Sequence, residues 1–199
     1  MSRTVDYFFA PHSPWTYLGH ARFVQIARDA GAQVNAKPMD LARVFPVSGG
    51  LPLAKRAPQR QAYRLVELKR FSQHLGVPLN LQPRFFPVAS DDAARLIIEA
   101  GEAKGVEAAL RLAGAVMAAV WAEERDIADA AVLAELLAAQ GLPAALLEAS
   151  RKPGVQARYD GFTQEAIDRG IFGAPTYVVD GEPFWGQDRL DFVEAALRR

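Results

Sequence analysis

The sequence predicts an α/β protein in which a long, all-helical segment interrupts a small sheet. Three observations indicate this fold class. The chain begins with a strand, a helix and a second strand, and it ends with a two-stranded hairpin and a helix. Between these two parts, residues 46–154 carry mostly helical patterns. We therefore predict one discontinuous domain made of residues 1–45 together with 155–199, and a helical insertion domain over 46–154.

The first helix is predicted to begin at Ser13, shortly after an apolar strand that Pro11 ends. Serine is a favoured N-cap, and proline, here Pro14, is a favoured first helical residue. Gly31 is predicted to stop this helix, and residues 33–39 form a second predicted strand. A group bound beside Ser13 would meet free backbone N–H groups and the positive end of a helix, which stabilise an anion.

The interrupting segment is predicted to start as a loop over residues 44–58, which contain a Ser-Gly-Gly-Leu-Pro run. A helix with one apolar face follows over 59–75, and a proline-rich extended stretch follows over 77–87. Ser90 then begins another helix. The remaining helices of the chain before the hairpin are predicted over 106–124, 129–140, 143–151 and 154–169.

The C-terminal hairpin is predicted from Asp180 and Gly181, which lie between two apolar strands. It is entered through the Gly-Ala-Pro-Thr turn at residues 173–176, and the last helix is predicted over 189–198. A strand, turn and helix followed much later by a Pro-Thr-led hairpin and a helix resembles the thioredoxin fold. The resemblance implies that this proline is cis and faces the start of the first helix.

In the thioredoxin fold the first helix ordinarily begins with Cys-x-x-Cys. Here those positions hold Ser13, Pro14, Trp15 and Thr16, and the chain contains no cysteine. Disulfide exchange requires a thiolate on the protein, so this chain by itself is not a dithiol oxidoreductase. If the site handles sulfur, a small thiol must supply it. The alternative is that Ser13 only caps its helix.

The ordered set of motifs resembles the 2-hydroxychromene-2-carboxylate isomerases, relatives of the kappa-class glutathione transferases in the DsbA-like thioredoxin superfamily. The resemblance covers essentially the whole chain. It is carried by Phe9-x-x-x-Ser13-Pro14-Trp15-Thr16-Tyr17-Leu18, Gly49-Gly50-Leu51-Pro52-Leu53, Tyr63-Arg64, Phe172-Gly173-Ala174-Pro175-Thr176 and Phe184-Trp185-Gly186-Gln187-Asp188-Arg189-Leu190. The resemblance implies an isomerase of aromatic hydrocarbon catabolism that uses glutathione as its cofactor. It would interconvert 2-hydroxychromene-2-carboxylate and trans-o-hydroxybenzylidenepyruvate by reversible thiolate addition.

The same resemblance implies roles for residues that would hold the cofactor. The Ser13 hydroxyl would point at the glutathione sulfur and is the predicted catalytic group. The backbone of Ala174, just before Pro175, would pair with the cysteinyl part of the tripeptide as a strand edge does. Gln187 and Asp188 would hold the γ-glutamyl end.

The loop of Gly50, Leu51 and Pro52 is expected to touch the glycyl end of glutathione. Relatives often have an asparagine and paired prolines in this loop, whereas this chain has Gly50 and the single Pro52. Side-chain contacts from the loop to the cofactor are therefore not implied.

The substrate would need cations or N–H donors for its carboxylate and for a developing enolate. Arg56, Arg60 and Arg64 are spaced four residues apart, as on one helical stripe, and Arg84 and Lys55 are further candidates. Each of these is also explained as a solvated basic residue. The predicted aromatic wall for a flat substrate consists of Trp15, Tyr17 and Trp185, although Tyr17 and Trp185 are equally explained as core residues.

Four other residues are assigned mainly structural roles. His12, beside Ser13, is a candidate general base, but a loop histidine next to a site is more often incidental. His20 and His74 are expected on helix surfaces, and Trp121 is expected to pack. The three histidines share no spacing that indicates a metal site.

Composition excludes several classes of partner. Basic and acidic residues number 23 each, so nothing indicates binding to nucleic acid or to an anionic membrane. No apolar stretch is long enough to span a bilayer, and the N-terminus shows no signal-peptide pattern, so we expect a cytoplasmic protein. The family resemblance implies a homodimer.

Two alternatives to the isomerase remain open from the sequence. A kappa-like glutathione transferase or peroxidase would use the same cofactor site with a different acceptor. A redox-inactive thioredoxin-like binding or chaperone domain would retain the fold with Ser13 in place of a lost cysteine.

Overall fold

Four strands form one mixed sheet in the computed structural model of the protein, which describes residues 3–199. The strands are β1 (Thr4–Phe9), β2 (Gln33–Pro38), β3 (Thr176–Val179) and β4 (Glu182–Trp185). Their order across the sheet is β2-β1-β3-β4. β1 pairs in parallel with β2 and antiparallel with β3, and β3 pairs antiparallel with β4. The predicted strand–helix–strand start and hairpin–helix finish are confirmed.

Helices make up most of the rest of the described residues. They are α1 (Pro14–Asp29), α2 (Leu41–Ser48), α3 (Pro58–Leu75), α4 (Asp91–Lys104), α5 (Val106–Trp121), α6 (Ala130–Ala139), α7 (Ala145–Ala149), α8 (Pro153–Asp168) and α9 (Leu190–Leu197). Two short 3-10 turns cover Leu53–Lys55 and Gln187–Arg189. From residue 3 onward, no helix has the length and apolar character needed to cross a membrane.

The hairpin and the proline turn have the predicted geometry. Asp180 and Gly181 form the two-residue loop with φ values of 50° and 85°, as a type I′ turn requires. The Ala174–Pro175 peptide bond is cis, as the resemblance implied. A second cis bond, Phe86–Pro87, was not predicted.

The predicted loop over residues 44–58 is wrong in its first part, because α2 extends to Ser48. Asp40 caps this helix, its Oδ1 atom accepting from the Ala42 backbone N–H at 2.8 Å. Leu41 and Val44 are buried on one side. Pro46 indicates a break when only sequence is considered, since it lacks an N–H group. Here the cap and the buried face offset the one missing hydrogen bond.

The two faces of the sheet cover separate cores. Side chains of Val5 and Tyr7 point into the larger core, and Phe8 points into the smaller one, as strand alternation requires. The larger core also contains Leu112 of α5 and Val193 of α9. The helical segment therefore packs on the same face of the sheet as the C-terminal helix. The proposed division into two domains stays a prediction.

The prediction that His20 lies on a helix surface is wrong. His20 is buried, with Nδ1 3.1 Å from the Tyr7 hydroxyl and Nε2 2.9 Å from the Leu110 carbonyl oxygen. Because a carbonyl only accepts, Nε2 carries the proton, and Nδ1 accepts from Tyr7. Burial lowers the pKa of His20 to about 4, so the ring is neutral at pH 7. Gly114 makes room for the ring, since a Cβ there would lie 3.2 Å from its Cδ2 atom.

Candidate active site

The turn after β1, the turn before β3 and the chain that leaves β4 lie at one edge of the sheet. Phe8 lies opposite Thr176 in the β1–β3 pair, and Thr176 lies opposite Trp185 in the β3–β4 pair. Because β1 and β3 are antiparallel, the chain that leaves β1 and the chain that enters β3 lie at the same edge. The start of α1 at Ser13 and the cis Pro175 turn therefore lie at the same edge, as the resemblance to the thioredoxin fold implied.

Ser13 is the N-cap of α1 and is 5% exposed. Its Oγ atom accepts from the Thr16 backbone N–H at 3.3 Å, so the capping role is confirmed. The hydroxyl proton has no acceptor in the described part of the chain and remains available to a ligand. Pro14 has no N–H group, and the Trp15 N–H has no partner within residues 3–199. The helix start therefore offers an O–H donor and an N–H donor together.

The cis-proline turn presents unpaired backbone. Within the described residues, neither the N–H nor the C=O group of Ala174 has a hydrogen-bond partner. The Pro175 carbonyl oxygen accepts from the Gly186 N–H at 2.9 Å, which ties this turn to the end of β4. Ala174 thus has the free strand edge that extended-peptide pairing requires.

An exposed aromatic pair lies beside this turn. Trp185 is 53% exposed and meets Phe172 edge to face, with ring centroids 4.8 Å apart. A Cβ on Gly173 would lie 2.4 Å from Trp185 Nε1, so the indole lies directly on the glycine. Trp185 is therefore a surface residue next to the cis-proline turn and not a core residue.

The other two aromatic candidates are held by the segment around α3. The Trp15 ring contacts Phe71 edge to face, with centroids 5.9 Å apart. The Tyr17 hydroxyl donates to the Pro78 carbonyl oxygen at 2.8 Å. Both side chains are half-buried, which leaves part of each available at the surface.

The predicted pair Gln187 and Asp188 is split by the structure. Gln187 is 2% exposed and packs on α1, where a Cβ on Gly19 would lie 2.6 Å from the Gln187 Cβ atom. Asp188 is at the surface, and its carboxylate accepts from Arg189 at 2.9 Å. The Gln187 side chain therefore supports the turn from inside, and Asp188 alone offers a side chain to a ligand there.

The loop of Gly50, Leu51 and Pro52 lies between α2 and α3. Arg56 Nε donates to the Leu51 carbonyl oxygen at 2.8 Å, which closes the loop. A Cβ on Gly50 would lie 2.4 Å from the Phe45 ring, so the close approach of Phe45 requires glycine. Leu51 and Pro52 are exposed, and the loop offers no charged side chain of its own.

Arg64 is the most constrained of the predicted cations. Its guanidinium carbon lies 5.4 Å from the centre of the Phe86 ring and 5.7 Å from that of Trp121. No carboxylate within residues 3–199 pairs with it. Burial and, secondarily, the Arg56 charge lower the pKa of Arg64 to about 10, so it remains a cation at neutral pH. A half-buried, unpaired guanidinium is a site for an anion.

Three of the other candidates, Arg60, Arg84 and Lys55, are exposed and less confined. Arg60 lies one turn before Arg64 on α3 and is exposed, and its charge lies near Arg56. Arg84 is exposed, with its guanidinium carbon 5.2 Å from the centre of the Phe85 ring. Arg60 and Arg64 lie one turn apart on α3, but Arg56 precedes the helix, so the predicted helical stripe of three arginines is wrong for Arg56.

Trp121 connects the arginine site to the serine turn. It is fully buried, as predicted for a packing residue, and its ring lies 4.8 Å from that of Phe86. Its Nε1 atom donates to the His12 carbonyl oxygen at 3.2 Å. Arg64 and the turn that carries Ser13 therefore contact the same indole.

Sequence reasoning missed the pairing of His12 with Ser90. The hydroxyl of Ser90 does not cap α4, and it lies 2.6 Å from His12 Nδ1. The two residues are 78 positions apart, so no local pattern indicates their contact. Within the described residues, no group of three or more His, Asp or Glu side chains forms a metal site.

Comparison with known proteins identifies the relatives of this fold and site. A family model described as a DSBA-like thioredoxin domain matches residues 4–198. The chain is 31% identical over 199 residues to a 2-hydroxychromene-2-carboxylate isomerase of Sphingobium xenophagum, covering 99% of each chain. It is also 31% identical to an isomerase of the same name from Pseudomonas putida, covering 98% of this chain and 94% of that protein.

Solved structures give the same result. A structure of a 2-hydroxychromene-2-carboxylate isomerase superposes with a TM-score of 0.83 at 29% identity, covering 98% of this chain and 94% of that chain. The cytosolic disulfide reductase DsbM from Pseudomonas aeruginosa with GSH gives a TM-score of 0.70 at 21% identity, covering 98% and 100% of the two chains. The second likeness shows the fold alone.

Proposed function

This chain belongs to the DSBA-like thioredoxin domain family and, within it, to the 2-hydroxychromene-2-carboxylate isomerases, and we propose that it is a glutathione-dependent isomerase. Its reaction would interconvert 2-hydroxychromene-2-carboxylate and trans-o-hydroxybenzylidenepyruvate. The observation that carries the proposal is the 31% identity with an isomerase over nearly the full length of the chain. The chain also has no cysteine, and Ser13, which can donate a hydrogen bond, lies at the same sheet edge as the cis-proline turn.

The residues at the sheet edge fit glutathione. Ser13 has an unused hydroxyl proton for the sulfur, and Ala174 has unpaired backbone groups for the cysteinyl part. Asp188 offers an exposed carboxylate for the γ-glutamyl ammonium group. Leu51 and Pro52 offer exposed surface for the glycyl end.

We expect the helix start to favour a thiolate at neutral pH. A free thiol has a pKa of about 8.5, and lowering it by about 2 units requires about 2.7 kcal/mol. A helix N-terminus contributes about 0.3–1 kcal/mol, and a hydroxyl hydrogen bond to a charged group contributes about 1.5–3 kcal/mol. Glutathione, when bound, supplies a thiolate that adds reversibly to the unsaturated keto acid, so that the former double bond can rotate.

In this proposal, side chains of the protein bind the thiolate and the substrate. Ser13 donates to the sulfur. Within the described residues no base bonds to its hydroxyl, and the sequence around it is not a nucleophile elbow, so Ser13 is not expected to be a nucleophile itself. Arg64 offers its unpaired charge to the substrate carboxylate and to the developing enolate. Trp185, beside the cis-proline turn, offers an exposed face for a flat aromatic ring.

Replacing Arg64 with alanine is expected to lower kcat/KM by about 10- to 100-fold, because a charged hydrogen bond contributes about 1.5–3 kcal/mol. Steady-state kinetics with the isolated variant measures this change. The pKa of the bound thiol should not move, since Ser13 is intact. Arg64→Lys keeps the charge but not the planar stacking between Phe86 and Trp121, so it should recover only part of the loss. Unchanged kinetics in both variants would remove Arg64 from the substrate site.

We also propose that the protein is cytoplasmic and acts as a homodimer. Reduced glutathione is maintained in the cytosol, which supports that location. Exposed apolar side chains such as Phe172, Val47 and Phe192 give a second copy of the chain surface to cover. Light scattering on the purified protein measures the oligomeric state.

One set of assays tests the proposed function. Isomerisation is followed by absorbance with and without added glutathione, and the thiolate band of bound glutathione is recorded against pH. The proposal expects turnover that depends on glutathione, with a bound thiol pKa well below about 8.5. Conjugation of chlorodinitrobenzene without isomerisation would instead indicate a kappa-like transferase. No glutathione binding and no turnover would indicate the binding-domain alternative.

A further inference from the structure

His12 lies next to Ser13 and carries an imidazole that is fixed at one nitrogen and free at the other. Nδ1 lies 2.6 Å from the Ser90 hydroxyl, and the backbone carbonyl of His12 accepts from Trp121 Nε1. The turn itself is closed by the Ser13 N–H, which donates to the Ala10 carbonyl oxygen at 3.0 Å. Both the backbone and the ring of His12 are therefore held in place.

The second ring nitrogen of His12 is available. Nε2 has no hydrogen-bond partner within residues 3–199, and it is not among the buried polar atoms that lack a partner. It therefore reaches solvent-accessible space. His12 directly precedes Ser13, the residue that caps α1, so its accessible nitrogen belongs to the turn at which the thiol is proposed to bind.

The surroundings of the ring support both of its protonation states. Ser90 can accept from an Nδ1–H group whether the ring is neutral or charged. Burial lowers the pKa of His12, whereas the carboxylates of Asp40 and Asp91 act in the opposite direction. The same two carboxylates, Asp91 and Asp40, act on the hydroxyl of Tyr159 in α8, which donates to Asp91. An imidazole that is neutral at rest and has two carboxylates near it can take up a proton.

We propose that His12, oriented by Ser90, accepts the proton of the thiol that binds at Ser13 and holds it as an imidazolium beside the thiolate. In this step the S–H bond breaks, its electron pair stays on sulfur, and an N–H bond forms at Nε2. The step needs no other reactant. The inference rests on the proposed function, because it takes a small thiol, probed here as glutathione, to bind at Ser13.

Proton counting on the wild-type protein tests this directly. Calorimetric titrations with glutathione at pH 7, in buffers of different ionisation enthalpy, give the number of protons released per glutathione bound. The thiolate absorbance of the same complex gives the number of thiolates formed. Free glutathione is almost entirely protonated at pH 7, so each thiolate formed frees one proton. We expect a release close to zero per thiolate, because His12 retains the proton.

Two variants give the matched comparison. His12→Gln keeps a polar side chain but cannot hold a proton, so it should release close to one proton per thiolate, read at whatever pH the thiolate forms. His74→Gln replaces an exposed histidine of α3 and should behave as the wild type. The ring signals of His12, assigned by their absence in His12→Gln, should shift to the imidazolium position when glutathione is added to the wild type.

The outcomes separate this proposal from the proposed function. A thiolate band in the wild type with one proton released per thiolate would overturn the role of His12 and leave the isomerase proposal standing. No thiolate band in the wild type would overturn both. Retention of the proton in both the wild type and His12→Gln would also overturn the role of His12, since another group would then hold it.

Discussion

Turnover of the isomerase with glutathione should fall by about 10- to 100-fold when Ser13 is replaced with alanine. The variant loses the capping hydroxyl that is proposed to donate to the sulfur anion, and such a bond contributes about 1.5–3 kcal/mol. The pKa of the bound thiol should rise toward the free value at the same time. Steady-state kinetics and the thiolate difference spectrum measure the two effects on one sample.

Loss of the helix cap must be separated from loss of the donor in this variant. Removing an N-cap hydroxyl costs about 1 kcal/mol of stability, which a denaturant midpoint reports. Ser13→Thr keeps both the hydroxyl and the cap and should retain turnover within about tenfold. Ser150→Ala removes a buried hydroxyl that donates to the Leu147 carbonyl oxygen, and it should leave the thiol pKa unchanged. A Ser13→Ala protein with a normal thiol pKa would contradict the assignment of Ser13.

Replacing Trp121 with alanine is expected to lower the free energy of unfolding by about 3–5 kcal/mol, because a large, fully buried side chain is removed from the core. The indole packs against Phe86, stacks with Arg64 and bonds to the carbonyl of His12. Chemical denaturation with the midpoint and slope fitted together measures this loss.

Trp121→Phe separates the packing of Trp121 from its hydrogen bond. Phenylalanine keeps an aromatic ring but cannot donate to the His12 carbonyl, so we expect a loss of about 1 kcal/mol from the missing bond and a smaller packing loss. A turnover defect in Trp121→Phe that exceeds the one in Leu137→Val, a conservative change at a buried site of α6, would show that the bond positions the serine turn. If Trp121→Ala is nearly as stable as the wild type, the indole does not hold the core as the structure indicates.

The parts of the fold and site that the sequence predicts are those decided by neighbouring residues. Asp180 and Gly181 predict the hairpin because both positions need positive φ. Ser13 and Pro14 predict a helix start because each satisfies a local requirement of the first turn. The cis peptide bond before Pro175 is not indicated by neighbouring residues. It was inferred from the order of the motifs along the chain, which resembles a known fold.

The parts that could not be predicted depend on contacts between distant segments. His20 is buried because α5 brings the Leu110 carbonyl to its ring, and the local pattern of α1 does not indicate this. The bond between His12 and Ser90 likewise depends on where α4 begins in space. Arg64 was named as a cation, but its position between two rings depends on the packing of α5 and of the cis Phe86–Pro87 segment.

The core that joins β1, α5 and α9 bears on how the family can vary. Leu112 of the helical segment and Val193 of the last helix share one hydrophobic cluster with Tyr7 of the first strand. Because these side chains are packed together, we expect that exchanging the helical segment between relatives would destabilise the protein. The side chains of the new segment would not match the volume of the core that β1 and α9 complete. We therefore expect single replacements at the proposed substrate residues on the surface, such as Trp185 or Arg60, to alter substrate preference more easily than recombination of whole segments.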